Sequence, residues 1–216
     1  MRAALESLLR ARKLDATLTS APANITADRL AATGWEPLDA ALGGGLRRGH
    51  LSEIAGAPST GRTSLVLHAL AAAARRGEVA ALVDACDTFD PPSAASAGVD
   101  LGSLLWVRES HDPARALKAF SLILQAGGFG LVVLDLADVP AAALRHFPWT
   151  TWMRVSRMIE GSDTIALLVG RDRIARSPGG VTIALDAAAR ERWTGASDRA
   201  RVFAGITPAL RVVSAR

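Results

Sequence analysis

The chain has 216 residues, 50% of them hydrophobic, which is enough to bury one sizeable core, and a single domain is the expectation. Its net charge of +4 and isoelectric point of about 10.4 come mostly from arginine, Lys13 and Lys118 being the only lysines, and a charge so small over this length does not by itself define a nucleic-acid surface. Cys86 is the only cysteine, which excludes an internal disulfide or a cysteine-built metal cluster; with no signal-peptide pattern and no apolar run long enough to span a bilayer, a cytoplasmic protein is expected.

Residues 1–32 read as an N-terminal helical appendage, with Leu5, Leu8 and Leu9 at helical spacing. Asn24 or Thr26 would cap a second short helix. From residue 33 to 186 short apolar runs of strand type appear at Leu51–Ala55, Val79–Val83, Ser103–Val107, Gly130–Leu134, Thr164–Val169 and Val181–Leu185. Helical patterns lie between several of them, which predicts an α/β core with a central, mostly parallel sheet flanked by helices. One helix start is well marked: Asp112 as N-cap and Pro113 in the first turn, with Leu117, Phe120, Ile123 and Leu124 on one face and Gly127-Gly128 as the stop. Residues 187–216 form a C-terminal segment. It begins as a polar stretch and closes with two apolar runs, Arg201–Ile206 and Leu210–Val213, which read as a hairpin turning at Thr207-Pro208-Ala209.

The motif that carries chemistry is Gly56-Ala57-Pro58-Ser59-Thr60-Gly61-Arg62-Thr63. It has the spacing of a phosphate-binding loop, G-x-x-x-x-G-K-S/T, with arginine where lysine belongs. The glycines allow a tight turn whose backbone N–H groups surround phosphate oxygens, and Thr63 is placed to offer a hydroxyl to Mg²⁺. Arginine is planar and bulkier than lysine, so the exchange is not neutral in a close-fitting loop. The strand before the loop and the helix from Ser64 to Arg76 after it supply the required context; a Gly-rich strand-to-helix turn with no ligand is the alternative.

From Thr33 to Pro140 the chain resembles the RecA recombinase family. Thr33-Gly34 with Leu38-Asp39 resembles that family's opening motif, and Leu82 to Pro91 its segment bearing the catalytic glutamate. Leu131-Val132-Val133-Leu134-Asp135 is similar to the second nucleotide motif. The resemblance implies a RecA-like core and a nucleotide site at Gly56, Gly61, Arg62, Thr63, Ser64 and Asp135. It also implies departures. The family's glutamate falls on Cys86, with Asp87 one residue away as a shifted substitute, and its phosphate-sensing glutamine falls on Arg171. The two DNA-holding loops shrink to Val139–Pro148 and Arg173–Ser177, and no room is left for the recombinase C-terminal domain.

An altered nucleotide site on such a core resembles the ImuA family, RecA-related accessory proteins of mutagenic translesion synthesis. That likeness extends to Trp149-Thr150-Thr151-Trp152-Met153-Arg154 and to the ending Leu210–Arg216. It implies an adaptor in the SOS response, cytoplasmic and nucleoid-associated when engaged, with a polymerase-like ImuB protein or RecA recombinase as partner. No catalytic residue, metal or required cofactor follows from it; ATP and Mg²⁺ remain candidate ligands of the loop, and DNA contact is weak or indirect. Leu5, Leu8, Leu9, Trp149 and Trp152 are the partner-binding candidates, although tryptophans more often fill a core. A DNA-dependent ATPase and a regulator of recombinase filaments are the competing readings.

Overall fold

The computed structural model describes residues 29–175 and 179–214. A seven-stranded sheet dominates, built in chain order from β3 (Leu51–Gly56), β4 (Ala80–Asp84), β5 (Leu104–Arg108), β6 (Leu131–Asp135), β7 (Ile165–Gly170), β8 (Val181–Thr194) and β9 (Val202–Ser214). Across the sheet the order is β5-β4-β6-β7-β3-β8-β9. The first six pair in parallel and β9 joins β8 antiparallel. A small sheet of β1 (Leu30–Ala31) and β2 (Leu46–Arg47) stands apart from it.

Six α-helices are described: α1 (Glu36–Ala41), α2 (Arg62–Arg75), α3 (Pro91–Ser96), α4 (Pro113–Ala126), α5 (Ala141–Leu144) and α6 (Trp149–Ile159). Alternation along the strands divides the core into two layers. Leu82, Val133, Ile165 and Leu167 face Leu38 of α1 and Leu65, Leu70 and other residues of α2. Their neighbours Val83, Val132, Leu134 and Leu168 face Phe120 and Leu124 of α4 and Trp152, Val155 and Ile159 of α6. Strands covered on both faces are apolar at nearly every position, which is why the runs were legible.

The start of α4 is as expected: the Asp112 carboxylate accepts from the N–H groups of Ala114 and Arg115, both at 3.0 Å. The Thr33-Gly34…Leu38-Asp39 pattern also has a physical basis. Asp39 accepts from Thr33 N and Thr33 Oγ1, each at 2.7 Å, and from Gly34 N at 3.1 Å, while Leu38 is buried. Residue 34 must be glycine, because φ is +82° and a Cβ would meet Ala72 and Arg75 of α2. Beneath the sheet's N-terminal edge Arg48 and Arg76 both bind Glu78. Burial works to raise that carboxyl's pKa, but the hydrogen bonds and charges of Arg76 and Arg48 outweigh it and hold it below the ordinary value.

The C-terminal expectation is corrected. β8 runs to Thr194, across the boundary placed after residue 186, and Thr207-Pro208-Ala209 lies inside β9 rather than at a turn. The hairpin is β8 with β9, reversing between Thr194 and Val202. Proline is tolerated here because the pairing is interrupted between Asp186 and Arg190, opposite Pro208, where no ladder donor is required. Among the described residues no helix is long and apolar enough to cross a membrane.

Candidate functional site

The carboxyl ends of β4, β6, β7 and β3 meet at one edge, where the chain skips from β3 over β7 and β6 to reach β4. Ligands of open α/β sheets bind at such switch points. The segment between β3 and α2 is the expected strand-to-helix turn, with α2 opening at Arg62 and Gly61 before it in the left-handed region at φ 99°. Packing also enforces both glycines. A Cβ on residue 56 would stand 2.6 Å from Thr60 Oγ1 and 2.8 Å from Leu185 Cβ, and one on residue 61 would stand 2.8 Å from Pro208 Cγ. The buried Pro208 of β9 therefore roofs the loop, a neighbour that sequence reasoning had assigned to a turn.

Thr63 and Ser64 are exposed in the first turn of α2, whereas Arg62 is 8% exposed. The Arg62 guanidinium donates to the Ala137 carbonyl oxygen at 3.3 Å and stands 3.7 Å from the Asp138 carboxylate, both on the connection after β6. Arg62, Thr63, Thr88, Phe89, Asp135 and Asp138 line one cavity of about 270 Å³. Arg171 is exposed and lines a second cavity with Pro58, Asp138 and Asp172. The structure thus brings Gly56, Gly61, Arg62, Thr63, Ser64, Asp135 and Arg171 to one end of the sheet.

Parallel register sets Asp84 beside Asp135. Asp84 is 1% exposed and accepts from Cys86 N at 3.2 Å and Phe89 N at 2.8 Å. Asp135 accepts from Ala137 N at 2.9 Å. Burial raises the Asp135 pKa to about 6, helped by the charges of Asp84 and Asp138 and opposed by that hydrogen bond and by Arg62. The Cys86 thiol is buried, and burial together with Asp138, Asp135 and Asp84 pushes its pKa up, so it stays protonated at neutral pH. Asp87 is held in a bidentate pair with Arg108, both contacts at 2.7 Å, and Arg108 lies over Trp106. Neither residue at the position of the expected base presents a free carboxylate. No group of three or more His, Cys, Asp or Glu side chains suited to a metal is found among the described residues.

Sequence reasoning missed Asp84, Asp138 and Glu53. Asp84 ends an apolar strand just as Asp135 does, and that signal was available. Glu53 lies in the middle of β3, 3% exposed, and its carboxylate accepts from Ile174 N and Ala175 N, both at 2.9 Å, and from Thr182 Oγ1 at 2.6 Å. It ties the connection between β7 and β8 to the strand that carries the phosphate-type loop.

The partner candidates divide. Trp149 is 67% exposed at the start of α6, but Trp152 is 1% exposed in the core, edge-to-face with Phe147, so the two are not an exposed pair. Leu5, Leu8 and Leu9 lie outside the described residues.

The family profile described as the RecA N-terminal domain matches residues 16–146. The chain belongs to the RecA N-terminal domain family. Among curated relatives, it is 44% identical over 115 residues to Protein RecA of Chlorobaculum tepidum, a match covering 52% of this chain and 33% of that protein. It is 45% identical over 115 residues to Protein RecA of Chlorobaculum parvum, with the same coverage of 52% and 33%. For Protein RecA of Prochlorococcus marinus strain MIT 9211 the figures are 45% over 103 residues, 48% of this chain and 28% of that protein. The chain thus matches about a third of the length of these relatives. The family match ends before α6, so β7, the β8–β9 hairpin and Arg171 lie beyond it.

Proposed function

We propose that this RecA-family chain is an accessory protein of DNA-damage-induced mutagenesis and translesion DNA synthesis, of the ImuA type, acting through protein contacts. On this reading its partners are a polymerase-like ImuB protein, RecA recombinase, or both. The observation that carries the reading is the state of the residues where a RecA-type ATPase keeps its base and its phosphate-loop cation. Cys86 is a buried thiol with a raised pKa, Asp87 is paired with Arg108, and Arg62 donates to Ala137 and faces Asp138. A site with no positioned base forfeits about 10²–10⁴ in rate, and an arginine bound elsewhere is not free to follow the charge of a transferring phosphate.

The test pairs two measurements on the full chain. ATP binding and turnover are measured with and without single-stranded DNA, and direct binding is measured to purified RecA and to the purified polymerase-like protein. Weak or absent turnover with specific protein binding supports the adaptor. DNA-stimulated turnover abolished by Asp135→Ala overturns it in favour of the second reading, a DNA-dependent ATPase. That second reading rests on Thr63, Asp135 and Asp138 lining one cavity beside an intact strand-to-helix turn. Inhibition of RecA filaments without binding to the polymerase-like protein would instead mark a filament regulator.

A further inference from the structure

β3 accompanies β8 only from Glu53↔Thr182 to Gly56↔Leu185; beyond that point, among the described residues, β8 pairs with β9 alone, out to Thr194↔Val202. At about 3.3 Å per residue this free ribbon extends roughly 25 Å past the sheet. A two-stranded ribbon open on both edges is marginally stable in water unless something else supports it.

Its end carries a cluster of exposed apolar side chains. Trp193, Val202 and Phe203 are 43%, 66% and 51% exposed. Trp193 and Phe203 are cross-strand partners with ring centroids 5.4 Å apart, edge to face, and the Arg201 guanidinium lies 5.5 Å from the Trp193 ring centre. The indole N–H donates to Glu191 at 3.1 Å. The tryptophan's one polar atom is therefore satisfied within the ribbon, and its ring is oriented before any partner arrives, which lowers the ordering cost of binding. Residues 190–203 hold four arginines (Arg190, Arg192, Arg199, Arg201) against Glu191 and Asp198, a local charge of +2.

This arrangement suits a protein better than a nucleic acid. Stacked bases need open ring faces, but here the rings meet edge to face, a guanidinium covers the indole, and the Glu191 carboxylate lies beside it. Trp, Phe and Arg together are the composition of protein-interface anchors. We propose that the tip of the β8–β9 ribbon is a protein-docking site, its Trp193–Phe203 pair entering an apolar pocket rimmed by carboxylates on the partner. The proposal rests on the adaptor reading and names its contact surface.

The experiment measures binding of the full chain to purified RecA, to the purified polymerase-like protein and to oligothymidylate. The parent is compared with Trp193→Ala/Phe203→Ala and with Arg190→Glu/Arg199→Glu, which leaves the aromatic pair and Arg201 in place. The aromatic variant should lose about thirtyfold or more in affinity for the protein that binds the parent. The charge-reversed variant should also bind that protein more weakly, and added salt should weaken the parent. Should the aromatic variant not fold, the charge-reversed variant and the salt dependence still decide. Parent-like binding by both variants removes the tip as the site and leaves the adaptor reading standing. Loss of oligothymidylate binding alone makes the tip a nucleic-acid surface and overturns the proposal. A parent that binds neither protein overturns the adaptor reading and the docking site with it.

Discussion

The Arg62 guanidinium donates to the Ala137 carbonyl oxygen at 3.3 Å, tying the end of the phosphate-type loop to the connection after β6. A lysine at this position could not hold that oxygen and face Asp138 with the same planar fork. ATP turnover by the parent is expected to lie at least about 100-fold below that of RecA measured alongside it. Arg62→Lys with Cys86→Glu would restore the side-chain types of an active site. Turnover should rise in that double variant only if the cavity beside Thr63 accepts the triphosphate. Parent turnover equal to that of RecA would contradict the assignment of Cys86 and Asp87 as unable to serve as base.

Asp135 makes a pH prediction. Its folded pKa of about 6 lies above the ordinary 3.8, so the folded state favours the protonated form. The cost of ionising it is absent at pH below the ordinary value, grows as pH rises between the two, and is fully present above about 6. Asp135→Asn keeps an acceptor for Ala137 N and removes the charge. Its stability advantage in urea unfolding should be only about 0.5 kcal/mol at pH 4 and reach up to about 3 kcal/mol at pH 8. An advantage that does not change with pH would mean the carboxyl is not raised.

Trp149 and Trp152 separate cleanly by stability. Trp152 is among the largest fully buried side chains, so Trp152→Ala should cost about 3–5 kcal/mol. Trp149→Ala, at an exposed first helical position, should stay within about 0.5 kcal/mol. Thermal or urea unfolding of the two single variants checks both values, and equal losses would refute the placement of α6.

These cases show what the sequence could convey. Buried parallel strands such as Leu131–Asp135 announce themselves as unbroken apolar runs, and Asp112-Pro113 marks a helix start through chemistry local to the chain. The tryptophans were ambiguous because Trp149, Trp152, Val155 and Ile159 follow one helical stripe, and spacing does not tell where the covering sheet stops. The β8–β9 hairpin was misread because the sequence Ala187-Ala188-Ala189 and the charged residues after it show no strand-type alternation of apolar and polar residues, while Pro208 mimics a turn. The nucleotide-type residues were legible as a set. The partners that occupy Arg62 and Asp87 were not, since Asp138 and Arg108 are distant in sequence and carry no motif.

Glu53 supplies the last prediction. A carboxylate on a strand facing core on both sides is costly unless every lone pair is used, and here the donors are Ile174 N, Ala175 N and Thr182 Oγ1, with Arg173 4.0 Å away. Glu53→Ala would strand two backbone N–H groups and one hydroxyl, so a loss of about 3 kcal/mol or more is expected. Glu53→Gln keeps the volume, an oxygen for the two backbone N–H groups and an NH₂ that can donate to the Thr182 hydroxyl, but it loses the charge that strengthens these bonds, so it should recover only part of the loss. The loss should be local as well as global. Because Ile174 and Ala175 follow Arg171, releasing them frees the segment that carries Arg171 beside Pro58. Hydrogen exchange should then accelerate at Ile174 and Ala175 in both variants, with β4 and β6 amides still protected under native conditions. If those two amides exchange at the parent rate in Glu53→Ala, the carboxylate is not what holds the β7–β8 connection against β3.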